Sequence, residues 1–212
     1  MSFTLLIAGA TGLIGKKTLE LALADPSINK VIAPVRKKLP DHPKLEQWVD
    51  SDFAKALRPG KADAVICCLG TTIKKAGSKE AFRHVDHDLV ITLGKWAKEN
   101  GVGTFCVVSS MGADAGSSIF YNKVKGEMER DLFALQLPTL YIFHPSILKG
   151  PREAVRIGER IGIAAMSAFS FITPDNYKPM PYDTLAKALI SASKIKTSGT
   201  YTYRKIFELA GR

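Results

Sequence analysis

The seven residues GATGLIG, Gly9 to Gly15, follow directly on the apolar run FTLLIA and lead into a segment carrying Leu19, Leu21 and Leu23. Glycines at every third position let a backbone turn tightly from a strand into a helix. They also let it approach a pyrophosphate without Cβ obstruction and aim the first helical amides at the anion. A glycine triplet alone is a weak signal, but here it stands between a strand and a helix near the start of the chain, the context such a turn requires. The expectation is a dinucleotide bound by Gly9, Thr11, Gly12, Leu13, Ile14 and Gly15, with a purely structural turn as the alternative.

The rest of the chain supplies a frame for that turn. Branched apolar runs recur as FTLLIA, KVIAPV, LEQWV, DAVICCL, TFCVVSS and TLYIFHP, with helical stretches expected at Leu13 to Ala24, Lys79 to Asn100 and Ser118 to Leu137. This alternation predicts an α/β fold with a parallel sheet covered by helices. After Pro145 the rhythm is lost, and the tail predicts a helix near Asp183 to Lys194 and a last strand near Thr200 to Glu208. At 212 residues the chain suits one domain. The segment from about 146 to 212 then forms a small lobe over the open end of the sheet.

Charge and composition narrow the partners. Thirty Lys and Arg against 20 Asp and Glu leave a net charge of +10, which suits an anionic partner. The basic residues are scattered, without a dense patch interleaved with aromatics, so nucleic acid is not expected. No basic region precedes the short apolar run in MSFTLLIAGATG, so no targeting signal is read there. The apolar stretch IGIAAMSAFSFI, Ile161 to Ile172, falls short of the roughly 18–20 residues of a membrane span. It reads as the lining of a hydrophobic substrate pocket, as a buried helix of the lobe, or as a membrane-touching surface. Cys67, Cys68 and Cys106 all lie in apolar runs, which suggests reduced core thiols and a cytoplasmic protein.

Cofactor preference is read at the end of the second strand, PVRKK. An acidic residue there would bond the ribose hydroxyls of NAD, but no carboxylate follows until Asp41. Arg36 and Lys37 instead offer donors for a 2′-phosphate, so NADP(H) is preferred over NAD(H). Asp52 and Phe53 are candidates for the adenine, although Asp52 suits a helix N-cap equally. Leu69, Gly70 and Thr71, in CLGTT, fall beside the cofactor at the carboxyl end of the sheet.

The stretch IFYNKVKGEMERDL places Tyr121 and Lys125 four residues apart, hence on one helical face. An ammonium beside a phenol favours the phenolate, which makes a tyrosine usable as a general acid or base. Ser109 and Ser110, ending VVSSMGA, put hydroxyls where a substrate carbonyl could be reached. GATGLIG, Ser110 and YNKVK, in that order, resemble a short-chain dehydrogenase/reductase. CCLGTT, VVSSMGAD, YNKVKGEMER and HPSILKGPRE are similar to its atypical Tat-interacting-protein oxidoreductase subgroup.

That resemblance implies a Rossmann-type doubly wound parallel sheet and hydride transfer between a nicotinamide cofactor and a small carbonyl or alcohol substrate. Tyr121 would move the proton at the reacting oxygen, Lys125 would hold the nicotinamide ribose and favour the phenolate, and Ser110 would hold the substrate oxygen. Arg36 and Lys37 would meet the 2′-phosphate, Leu69 and Gly70 the middle of the cofactor, and Leu148 with Arg156 its nicotinamide end and phosphates. Two positions depart from the pattern: His144 stands where arginine is common, and Asp86 with His87 stands near a helix asparagine of many reductases.

A cofactor-sensing protein that regulates a partner is the competing reading. HVDHD, His84 to Asp88, reads as a solvated helix face in preference to a metal site. Trp96, with Leu89 and Leu93, packs a helix on the core or on a second copy, so the chain is a monomer or homodimer.

Overall fold

The computed structural model describes residues 2–150 and 178–211. Its main sheet is parallel throughout. It contains β1 (Thr4–Ala8), β2 (Lys30–Val35), β3 (Leu45–Val49), β4 (Ala64–Cys67), β5 (Thr104–Val108) and β6 (Leu140–Phe143), and a late strand, β9 (Gly199–Tyr201). Their order is β3-β2-β1-β4-β5-β6-β9. Two short parallel strands, β7 (Leu148–Lys149) and β8 (Met180–Pro181), pair outside it.

The strands are apolar at nearly every position because helices cover both faces. Alternate residues of β1 show the division: Leu5 and Ile7 join the core under α1 (Leu13–Ala24) and α7 (Tyr182–Ser193). Leu6 and Ala8 join the core under α5 (Leu89–Glu99) and α6 (Phe120–Ala134). The neighbours Cys67 and Cys68 divide between the same two cores, as their alternation in a strand requires.

Strand order reverses at β1. The chain leaves it through α1 to β2 and β3 on one side, then returns to pair β4 on the other, with Ala8 opposite Cys67. That reversal opens a crevice beyond the carboxyl ends of β1 and β4, where open α/β sheets bind ligands.

The expected helix at Leu13 to Ala24 forms over those residues. The one expected from Lys79 to Asn100 is built of α4 (Lys79–Arg83), a wide π-turn (His84–Asp88) and α5. Short helices α2 (Phe53–Ala56) and α3 (Ile73–Ala76) follow β3 and β4. Trp96 belongs to the core: its indole N–H donates to the Arg58 carbonyl at 2.8 Å, and its ring meets Trp48 edge-on.

The tail differs from expectation. From Tyr182 the chain rejoins the main sheet, with α7 packed on α1 and β9 paired to β6. The strand expected at Thr200 to Glu208 ends at Tyr201 and gives way to α8 (Tyr203–Leu209). Tyr203 and Phe207 meet at 4.7 Å across one turn and Ile206 is fully buried, a helical spacing of apolar groups. The apolar stretch Ile161 to Ile172 lies outside the described residues. Among the described residues no helix is long and apolar enough to cross a membrane.

Candidate active site

The glycine turn is shaped by backbone contacts. Gly9 has φ +78°, and a Cβ there would stand 2.6 Å from the Cys68 backbone. A Cβ on Gly15 would come within 2.1 Å of the Gly9 carbonyl oxygen, so both glycines are needed to seat α1 against β1 and β4. Gly12 plays another part. It precedes α1 without a side-chain cap, and with Leu13 and Ile14 it faces the crevice. The first-turn amides, with no side-chain cap and no acidic residue in that turn, suit an anion.

The crevice holds about 400 Å³ and is lined by residues 12–14, 68–72, 108–110 and 145–148, together with Lys75, Asp86, Tyr121 and Lys125. Thus Leu69, Gly70, Thr71, Ser110, Tyr121, Lys125 and Leu148 line one cleft. The Ser110 hydroxyl is buried without a hydrogen-bond partner among the described residues. Such an orphan costs about 1–3 kcal/mol unless a ligand satisfies it. Tyr121 rests its ring on Phe82 of α4, with centroids 5.5 Å apart.

Lys125 is buried, and its Nζ lies 2.8 Å from Asp86 Oδ1, inside the π-turn. The other Asp86 oxygen accepts the Thr71 N–H at 2.8 Å. Burial alone would lower the Lys125 pKa, but the Asp86 carboxylate, and Tyr121 after it, outweigh burial and raise it above 10.5.

Other expected residues lie apart from this cleft. Asp52 is the N-cap of α2, its Oδ1 accepting the Ala54 N–H at 2.9 Å, and Phe53 packs against the core. Arg36 and Lys37 are exposed beyond β2 with no ion pair among the described residues, while Asp41 is held by Lys38 at 3.0 Å. Thr11 is exposed at the turn, and Arg156 lies outside the described residues.

HVDHD is not a solvated face: Asp86 and His87 are buried, and His87 Nε2 sits 2.9 Å from Asp131 of α6. The π-turn widens the helix by a residue and rotates both side chains inward, which a regular helical period does not foretell. Also unforeseen is a chain of contacts in which the Ser109 hydroxyl donates to Glu129, which takes His144 Nε2 at 2.8 Å. It ties the ends of β5 and β6 to α6. Neither Asp86 nor Glu129 carries a local sequence signal, since each partner comes from a distant element.

The sheet order and the cleft define a Rossmann-type nucleotide-binding protein. The chain belongs to the NAD(P)H-binding family, which it matches over residues 9–159. It is 41% identical over 151 residues to Protein FMP52, mitochondrial, of Eremothecium gossypii, covering 70% of this chain and 67% of that one. The protein of the same name from Candida albicans is 38% identical over 156 residues, covering 69% and 68%.

Among solved structures, the Bordetella bronchiseptica enzyme WbmH in complex with NAD+ superposes with TM-score 0.71 at 19% identity, over 96% of this chain and 76% of that one. A short chain dehydrogenase family protein from Francisella tularensis gives 0.69 at 15% identity, over 94% and 96%. These two likenesses show the fold.

The expected cytoplasmic location is overturned by the relatives, which are named mitochondrial. The cysteines could not have decided it. Burial raises the Cys67 thiol to about 12 and the Cys68 and Cys106 thiols still higher, so their reduced state reports burial and not compartment.

Proposed function

We propose that the protein is an NADP(H)-dependent oxidoreductase that transfers a hydride between the cofactor and a small carbonyl or alcohol substrate, with Ser110, Tyr121 and Lys125 as its catalytic set. The observation that carries this reading is the buried Ser110 hydroxyl, without a hydrogen-bond partner among the described residues, in the same cleft as Tyr121 and Lys125 and beside the start of α1. When bound, the nicotinamide cofactor supplies or accepts the hydride. Ser110 donates a hydrogen bond to the substrate oxygen and orients it. Tyr121 gives that oxygen its proton in reduction and takes it back in oxidation. Lys125 holds positive charge beside the phenol and offers its remaining donors to the ribose.

Preference for NADP(H) is supported by Arg36 and Lys37, which stand beyond β2 without ion pairs among the described residues. Leu148, at the cleft, and Arg156 belong to this proposal as contacts to the nicotinamide end and the phosphates. The names of its relatives favour the mitochondrion as its place of work. The test is a screen of aldehydes, ketones and quinones followed by NADPH absorbance. Turnover that requires Ser110 and Tyr121 supports the reading. Tight NADPH binding that alters affinity for a protein partner, with no compound reduced, would replace it by cofactor sensing.

A further inference from the structure

Lys125 is joined in the cleft by a group to which the proposed hydride transfer assigns no part. Asp86, 1% exposed, points both oxygens at it and its surroundings: Oδ1 lies 2.8 Å from Lys125 Nζ, and Oδ2 accepts the Thr71 N–H at 2.8 Å. The carboxylate therefore joins α6 to the loop after β4, two elements that the sheet alone does not connect.

We propose that Asp86 is a positioning residue that holds Lys125 as a standing cation and ties it to the cofactor-side loop, so that the lysine supplies charge without carrying the reaction's proton. This rests on the reading of the cleft as an oxidoreductase site. An ammonium has three N–H donors, and Asp86 takes one. Two remain for a ribose hydroxyl and the Tyr121 oxygen, the same division of labour the proposed chemistry needs. The titratable groups facing Lys125 are Asp86 from the π-turn, Tyr121 from α6 and Cys67 from β4. Burial raises the Cys67 thiol to about 12, so it is neutral in working conditions and Asp86 is the carboxylate that compensates the ammonium. Removing one member of a buried pair leaves the other charge uncompensated, and a lysine so stranded sheds its proton.

The test is a titration of Lys125 itself, followed by the NMR shift of its side-chain Cε and assigned by comparison with Lys125→Met. In the native protein the Lys125 midpoint should lie above that of an ordinary lysine. In Asp86→Asn, which keeps an acceptor for Thr71, its midpoint should fall by about one pH unit or more, a tenfold change in the neutral fraction. A purely structural Asp86 would change the melting temperature and leave that midpoint in place. A native midpoint below that of an ordinary lysine, or an unchanged midpoint in folded Asp86→Asn, overturns the proposal. If Asp86→Asn does not fold, the native titration alone decides. No turnover is needed, so a failed reductase assay with a high Lys125 midpoint separates the fate of the catalytic reading from that of the charge.

Discussion

Arg36 carries the cofactor preference at the scale of a single side chain. Exposed and free of ion pairs among the described residues, it is available for a 2′-phosphate. Arg36→Ala should weaken NADPH by about 1.5–3 kcal/mol, the worth of a charge-assisted hydrogen bond, and leave NADH nearly unchanged. Fluorescence titration of both cofactors measures the difference, and an equal loss for the two would remove Arg36 from the phosphate. At this scale much of the site was legible. Tyr121 and Lys125 share a helical face by their spacing, and Ser110 follows a strand. Asp86 was not legible as the partner of Lys125, because the two meet only when α6 packs against the π-turn. Asp52 had two local readings; the cap forms with its own helix, and the adenine contact stays with the proposed site.

Among the elements, α6 governs the site, and contacts along its length hold it. Arg83, Asp86 and His87 from α4 and the π-turn pair with Glu127, Lys125 and Asp131 respectively. On another side the loop before α6 lies against Gly126, where a Cβ would come within 2.1 Å of the Ala115 backbone nitrogen. Backbone cannot yield there as a flexible side chain would. Gly126→Ala should therefore destabilise the protein by about 1–3 kcal/mol despite the better helix propensity of alanine. Thermal unfolding measures it, and a neutral or raised midpoint would show that the loop moves away freely. Gly126 was silent in the sequence because a glycine inside a helix has no local need; its reason lies in a close approach from outside. The π-turn was equally hidden, since hydrophobic period gives a helix its existence but not a one-residue widening.

For the whole molecule, the strands and α1 were readable because sheets covered on both faces demand continuous apolar runs. The tail was misread where a helix of seven residues, α8, followed β9 after a single residue, too short for a period to declare itself. The ends of α1 and α7 are tied by Asp25 and Lys194, 2.5 Å apart. Partial burial alone would raise the Asp25 pKa, but the Lys194 ammonium and the Ser27 hydroxyl and amide outweigh it and hold the carboxyl at about 2. A carboxyl depressed from 3.8 stabilises the fold above that pH and loses its contribution as pH falls towards 2. Asp25→Asn should cost about 1–2 kcal/mol at pH 7, discounted for partial exposure, and progressively less below about pH 4. Urea unfolding across that range checks the sign; a cost that grows with acid would contradict it. Lys125 acts at the opposite end of the scale: its raised pKa contributes stability below 10.5 that is lost as the pH climbs past the folded value.

The central claim is that the cleft performs proton-coupled hydride transfer with Tyr121 as the proton donor. It is tested most directly by comparing native protein and Tyr121→Phe on one carbonyl compound that the native protein reduces with NADPH. The phenylalanine ring keeps the packing on Phe82, so folding and NADPH affinity should stay near native while turnover falls by roughly 10²-fold or more. Full turnover by Tyr121→Phe on that compound would contradict the account.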